Sequence, residues 1–398
     1  MEEKGRIGIP KALMYYRYFP FWSTFLEELG WRVIVSDGLR KVGKMIYFED
    51  SCLPMKLLVT HAVSLKGEVD HLFIPRLVSL HRTYIMCPKF RGAPDIVRLA
   101  TEGKISMIDE MIDLRTRGNG FLQSFLKIGE KLGASKKETK QAFSRGEQSY
   151  SKFKKEWADR INRLPSKDLF HLDIPTPSVK NVSPPLSFES QRLVGGDEGE
   201  GELSLFCPPP PLPCGVEEPA PQGKPSPIKG GGKDVGKTSL RVAFVGHPYN
   251  LFDTDINKDV LTLTKNMGIE ILTSDLLSEK EIDREISDLS KEIYWSSGRE
   301  IVGALFHFLK GGVDGVVFLT SFKCGIDALL QEFIKRSLKG QRRTAVPFLV
   351  LSFDEHTGRE GLVTRLEAFR DVMEQRKAPN SKHLLSPKRL RAGRPNDK

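Results

Sequence analysis

Three cysteines are the residues of this chain best suited to chemistry: Cys52 in SCLPMK, Cys87 in IMCPKF and Cys324 in SFKCGID. Each follows a short apolar run that reads as a β-strand. Cys52 and Cys324 then open a helical pattern, and Cys87 precedes another. That places three soft donors where a doubly wound α/β sheet gathers its ligands, at the carboxyl ends of the strands. A cysteine at a helix N-terminus is held as thiolate by the helix dipole and by unpaired backbone N–H groups. Thiolate is the form that binds zinc and iron–sulfur clusters. The alternative is three buried structural thiols, among the commonest core residues, and the spacing leaves it open.

Structural zinc sites bring C-x₂₋₄-C pairs, and none is present. A three-cysteine zinc site would need a donor such as His61, His81 or His356. Three thiolates from separate strand ends suit a single 4Fe–4S cubane, with one iron open to an exogenous ligand. Cys87–Pro88 adds a pairing found at cluster ligands, where the ring stiffens the loop. DEHTG, Asp354–Gly358, follows the apolar run PFLVLSF and belongs at another strand end. Glu355 and His356 are therefore candidate catalytic acid/base groups. The same segment also reads as a turn before a helix, with Asp354 and Thr357 satisfying backbone donors. Arg17, His61, Lys89 and Arg365 are further candidates for the cleft wall.

The elements that must carry these residues form a repeated plan. RIGIP is a strand, Phe21–Leu29 a helix stopped by Gly30, and WRVIVS the next strand. RVAFVG, Ile256–Asn266, Gly268 and IEILTS repeat that order, each unit with a Pro just past its first strand (Pro10, Pro248). MIYF, HLFIP, GVVFLT and PFLVLSF complete the strands, and their unbroken apolar character suits a parallel sheet covered on both faces. The expected fold class is α/β, with two Rossmann-like doubly wound domains at residues 1–119 and 240–375. Between them lie a helical excursion at 120–175 and a Pro/Gly-rich linker at 176–239 that cannot bury enough apolar surface to order itself. Residues 376–398 form a basic tail. Cys207 and Cys214 flank the proline run of the linker, a poor place to preorganise a metal.

Composition narrows the function classes. At 398 residues, two domains plus extensions is the natural division, and 39% hydrophobic content suits a globular protein. No run reaches the 18 or so apolar residues of a membrane span, and MEEKGRIGIP is no signal peptide. Five widely spaced cysteines are no disulfide framework, so a reducing cytoplasm is the expected location. The net charge of +10 is concentrated at the C-terminus: from Arg376 onward eight basic side chains face Asp397 alone. That is a solvated extension, with no nucleic-acid motif beside it. GGKDVGKT, Gly231–Thr238, matches the phosphate-loop pattern letter for letter. The loop's chemistry needs a strand before it and a helix after it, whereas here a proline-rich segment precedes and a strand follows. IGIPKA and VGHPYN put Pro where a dinucleotide fingerprint needs Gly.

IGIPKALMYYRYFPFWSTFLEELG, SCLPMK, FIPRLVS, CPKFRGAPD and FDEHTGREGLVTRLEAF together resemble the CoA protein activases. These are the acyl-CoA dehydratase activase-related proteins, relatives of 2-hydroxyacyl-CoA dehydratase subunits. The likeness runs over roughly Arg6–Pro94 and Val242–Arg370. It implies a 4Fe–4S cluster between two Rossmann-like domains, with Cys52, Cys87 and Cys324 at the motif positions of the cluster cysteines. It also implies an oxygen-sensitive, dehydratase-like enzyme that reduces a bound acyl-CoA by one electron. The electron would come from a separate ATPase activator, since no actin-like phosphate loop is present here. A second dehydratase-like subunit or a homodimer is a further implied partner. An electron-transfer or reductase component acting on no CoA ester is the alternative function, and a non-catalytic accessory or scaffold is another.

Overall fold

The computed structural model describes residues 3–43, 45–46, 48, 50–116, 120–163, 239–287, 289, 292–340 and 346–377. The proline-rich segment with Cys207 and Cys214, the phosphate-loop look-alike at 231–238 and the tail beyond Lys377 lie outside the described residues.

The chain begins with β1 (Arg6–Ile9), α1 (Tyr15–Glu28), β2 (Arg32–Val35), α2 (Gly38–Val42) and α3 (Leu53–Ser64). It continues through β3 (His71–Phe73), β4 (Arg76–Ser79), α4 (Pro88–Ala100), β5 (Ser106–Ile108) and β6 (Met111–Asp113), then two helices, α5 (Phe121–Lys131) and α6 (Lys136–Arg163). A second series follows: β7 (Arg241–Gly246), α7 (Pro248–Phe252), α8 (Thr254–Asn257), α9 (Val260–Asn266) and β8 (Glu270–Thr273). Last come α10 (Glu279–Ile286), α11 (Ser296–Lys310), β9 (Gly315–Ser321), α12 (Gly325–Gly340), β10 (Phe348–Phe353) and α13 (Arg359–Lys377).

Two four-stranded sheets result, ordered β2-β1-β3-β5 and β8-β7-β9-β10, and every pairing in them is parallel. Both obey one rule: the first strand takes the second on one side and the third on the other. A parallel sheet needs helical crossovers on its faces, so its strands are apolar on both sides. β7 and β9 show this directly. Val242, Phe244, Val317 and Leu319 enter one core, while Ala243, Val245, Val316 and Phe318 enter a second behind it. β4 and β6 form a separate parallel pair extending the ends of β3 and β5.

The boundaries read from the sequence hold for most strands and fail in three instructive places. The helix expected from Phe21 begins six residues earlier at Tyr15 and carries Pro20 inside it. The buried face of Tyr15, Tyr16, Phe19 and Trp22 continues through the proline and outweighs its lost hydrogen bond. The MIYF run pairs with no strand among its described residues. There the Ile46 N–H donates to Thr60 Oγ1 (2.9 Å) rather than to a neighbouring backbone. The helix expected at 256–266 is split into α8 and α9 by left-handed Lys258 and Asp259 (φ 54° and 62°).

The helical pair α5–α6 is packed through an aromatic cluster on the outside of α1. Phe21 meets Phe125 at 4.9 Å and Phe143 at 5.3 Å, both edge-on, and Tyr18 meets Tyr150 at 5.4 Å. Edge-to-face pairs of this kind add about 0.5–1.5 kcal/mol each beyond area burial.

Several contacts tie elements of the first series to the second. Arg17 on α1 pairs with Glu300 on α11 at 2.6 Å. The Ile85 backbone bridges Tyr294 and Ser296 (3.1 and 2.9 Å). Lys56 on α3 pairs with Glu355 after β10 at 2.8 Å.

Candidate metal centre

In an open parallel sheet the crevice for ligands lies where neighbouring strands send their crossovers to opposite sides. In the second sheet that point falls between β7 and β9, whose chains leave through His247 and through Phe322–Cys324. Gly246 makes the approach possible, because a Cβ there would come within 2.7 Å of the Leu319 carbonyl. Asn250 on α7 fixes the same junction: its amide donates to Leu319 O (3.2 Å) and its oxygen accepts from Ser321 Oγ (2.7 Å).

Cys324 is aimed by a tight turn. Lys323 takes a left-handed conformation (φ 64°), costly for a side chain with a Cβ and the mark of a constrained turn. The Cys324 N–H donates to Ser321 O (3.0 Å), and its carbonyl accepts from Ala328 N (3.1 Å), so Cys324 caps the N-terminus of α12. Cys52 and Cys87 hold the corresponding positions on α3 and α4, with Pro54 and Pro88 in the first turn where a missing N–H costs nothing. All three cysteines are thus helix N-caps. Only Cys324 directly follows a sheet strand; Cys87 comes after the loop from β4, and Cys52 after an irregular segment.

The three thiols are free and line one pocket of roughly 380 Å³, part of it open to solvent. Leu13, Met55, Phe90 and Tyr249 supply its apolar wall, and Lys89 and Lys323 its cationic rim. Cys52 belongs to the first core, Cys324 flanks the second, and Cys87 packs against both.

His247 completes the lining. It is 2% exposed, and its Nε2 lies 2.7 Å from Oδ1 of Asp327, a fully buried carboxylate in the first turn of α12. Thr320 donates to the other carboxylate oxygen at 2.9 Å. The His247 ring stacks on Tyr249 at 4.8 Å. Its Nδ1 is buried with no hydrogen-bond partner. Ligand atoms of His247, Cys324 and Asp327 all lie within 4.8 Å of one another.

Burial changes the expected charge state of the sulfurs. Desolvation pushes the Cys52 and Cys87 thiols above their ordinary range. Lys89 and the Met55 amide pull Cys52 back only in part; at Cys87 the Lys89 amide is the main opposing influence. Helix N-termini alone therefore do not hold these two as thiolates, and a cation binding there must displace their protons. Burial acts to lower His247, but the Asp327 carboxylate, with Cys324, outweighs it and holds the imidazole well above its ordinary value. Burial, then the charges of Cys324 and Asp327, raise the Tyr249 phenol well above 10.

The donor set can be tested against two metals. A tetrahedral zinc with bonds of about 2.3 Å holds its sulfurs roughly 3.8 Å apart. Among the described residues, the three cysteine sulfurs do not gather within 4.8 Å of one another, although they share one pocket. A cluster takes each thiolate on a different iron and so needs no such close approach. Three soft donors, a cationic rim and an orphaned imidazole nitrogen fit an anionic iron–sulfur group.

The other candidates named from the sequence lie elsewhere, apart from Lys89. Glu355 is held by Lys56, whose hydrogen bond keeps the carboxyl below its usual range. His356 is exposed. Asp354 and Thr357 close the turn reciprocally: Asp354 N donates to Thr357 Oγ1 (2.9 Å) and Thr357 Oγ1 to Asp354 Oδ1 (2.7 Å). His61 is buried against Ser36 Oγ (2.9 Å), Arg17 is committed to Glu300, and Arg365 is exposed. His247, Tyr249 and Asp327 escaped the sequence reading. A signal existed, since His247 stands directly after a strand and before a helix-opening proline, and Asp327 sits three residues past Cys324.

Residues 6–277 match the family model described as CoA enzyme activase uncharacterised domain (DUF2229). The match includes Cys52, Cys87 and His247 and ends before Cys324 and Asp327. No curated protein matches the chain.

Proposed function

We propose that this chain, which belongs to the family of the CoA enzyme activase uncharacterised domain, is an iron–sulfur protein of the 2-hydroxyacyl-CoA dehydratase type. Cys52, Cys87 and Cys324 would hold a 4Fe–4S cluster between two Rossmann-like halves. A separate ATPase activator would supply the electron, and an acyl-CoA-like thioester would receive it. The observation that carries this reading is the convergence of three free thiols, each the N-cap of a different helix, on one pocket. The common strand order of the two sheets supports the division into halves of one origin.

When bound, such a cluster supplies a low-potential electron. The chain's own residues do the rest. Lys89 and Lys323 offset the negative charge that the thiolates and the cluster bring into the pocket. Phe90, Tyr249 and Met55 keep water from the buried side. Glu355, kept ionised by Lys56, and the exposed His356 lie outside the pocket lining, on the loop after β10, and would act as acid/base groups on a part of the substrate that extends beyond it.

A second reading, electron transfer with no CoA ester, is favoured by the size of the pocket. Of the roughly 380 Å³ of space around the thiols much is open solvent, and the enclosed cavity is about 30 Å³, far below the usual volume of a small-ligand site.

Anaerobic reconstitution with ferrous iron and sulfide, followed by EPR with and without added acyl-CoAs, tests both. Uptake of about four irons and four sulfides per chain, with a signal that acyl-CoAs perturb, supports the dehydratase-type reading. A cluster that acyl-CoAs leave unchanged moves the function to electron transfer. Zinc uptake, or no metal, overturns the iron–sulfur reading.

A further inference from the structure

The buried His247–Asp327 pair has the arrangement of a metal ligand with its supporting carboxylate. A histidine that binds a metal through one ring nitrogen nearly always donates its other N–H to a carboxylate or carbonyl, which fixes the tautomer and the ring plane. Here Nε2 is engaged by Asp327 Oδ1 at 2.7 Å, and Asp327 is itself anchored by Thr320 at 2.9 Å. Tyr249 stacks on the imidazole at 4.8 Å and prevents it from rotating away. The other nitrogen, Nδ1, is buried in a residue that lines the cysteine pocket; no oxygen or nitrogen satisfies it, and the polar group beside the ring is the Cys324 sulfur, the adjacent candidate ligand. A buried imidazole nitrogen without a partner is destabilising. Coordination would remove that cost.

We infer that His247 is the fourth protein ligand of the centre, bound through Nδ1, and that Asp327 is its positioning residue. The inference rests on the iron–sulfur reading above. It assigns an imidazole to the iron that three cysteines leave over, next to Cys324, so an exogenous molecule must displace His247 to reach that iron. On binding, the Nδ1 proton leaves to solvent along with those of the thiols, the Nε2 proton stays, shared with Asp327, and Nδ1 gives its lone pair to iron. A structural role alone, as a staple between α7 and α12, would leave Nδ1 without a function.

The experiment uses the full chain labelled with ¹⁵N-histidine, reconstituted anaerobically with iron and sulfide and reduced. Pulsed EPR then reads hyperfine coupling between the cluster spin and nitrogen. The expected result is a ¹⁵N coupling in the native sequence, its loss in His247→Ala with iron content retained, and its return as a ¹⁴N coupling when unlabelled imidazole is added. Asp327→Asn should keep the iron and change the coupling, because the ring loses its fixed orientation. A cluster without histidine coupling in the native sequence overturns the inference and leaves the iron–sulfur reading standing. Coupling that persists in His247→Ala also overturns it, pointing to another histidine. If the native chain binds no cluster, the underlying reading fails, and the inference fails with it. The measurement on the native sequence needs no variant, so a variant that does not fold cannot shield the inference.

Discussion

Replacing Asp327 by alanine in the metal-free protein should be among the most damaging single changes in the second sheet. Asp327 is fully buried, and its two oxygens serve two buried partners, His247 Nε2 at 2.7 Å and Thr320 Oγ1 at 2.9 Å. The alanine variant strands both. Leaving a buried donor unsatisfied costs about 1–3 kcal/mol per group. Removing one member of a buried charged pair costs about 3–5 kcal/mol. These descriptions overlap, since both count the loss at His247, so they are not summed. The expected loss is about 3–5 kcal/mol, on the order of 5–10 °C in melting temperature. Asp327→Asn keeps an acceptor in nearly the same place and should lose about half as much. Urea and thermal melts of chelator-treated native, Asp327→Ala and Asp327→Asn protein decide the matter. A loss below about 1 kcal/mol in the alanine variant would refute the reasoning, because the pair would then have to be hydrated rather than buried.

Lys56 and Glu355 join α3 to the loop after β10 at 2.8 Å, with Lys56 only 2% exposed. Lys56→Met should cost about 1–3 kcal/mol, and the double variant with Glu355→Gln should recover part of it; a double-mutant cycle with no coupling would contradict the pairing. His61 is held by burial at a pKa of about 4, below its ordinary 6.5. Its neutral form is the one the fold accepts, so its contribution is complete above about pH 6.5 and declines as pH falls towards 4. By then it amounts to a loss of up to about 3 kcal/mol, and His61→Gln should flatten the stability curve in that window. Because burial raises the Cys52 and Cys87 thiols, metal loading must release protons. Iron uptake should therefore strengthen as pH rises from 6 to 8, with acid release detectable in weakly buffered solution.

What could be read from the sequence was what depends on near neighbours. The strands RVAFVG and GVVFLT were visible because residues buried on both faces of a parallel sheet make short unbroken apolar runs, and PFLVLSF, a half-buried edge strand, carries a similar run. The cysteine caps were visible because a proline or glycine next to each marks a helix start. What escaped was set by distant partners. Pro20 reads locally as a helix boundary, and only the aromatic packing of α1 against α6 and the sheet explains why the helix runs through it. MIYF has strand-like residues, yet none of its described residues joins a sheet, and Thr60 takes the Ile46 amide instead. The pairing of His247 with Asp327 spans 80 positions, and that of Lys56 with Glu355 spans 299. The charge state of the thiols failed for the same reason: the helix N-terminus is local, whereas the desolvation that opposes it comes from Phe90, Tyr249 and Leu13, brought together by the fold.

The most direct test of the metal centre is iron and sulfide content, measured anaerobically, across the five single cysteine variants. Cys52→Ala, Cys87→Ala and Cys324→Ala should each lose the iron, while Cys207→Ala and Cys214→Ala should keep it. Full iron retention in the first three would contradict the assignment of these residues as ligands.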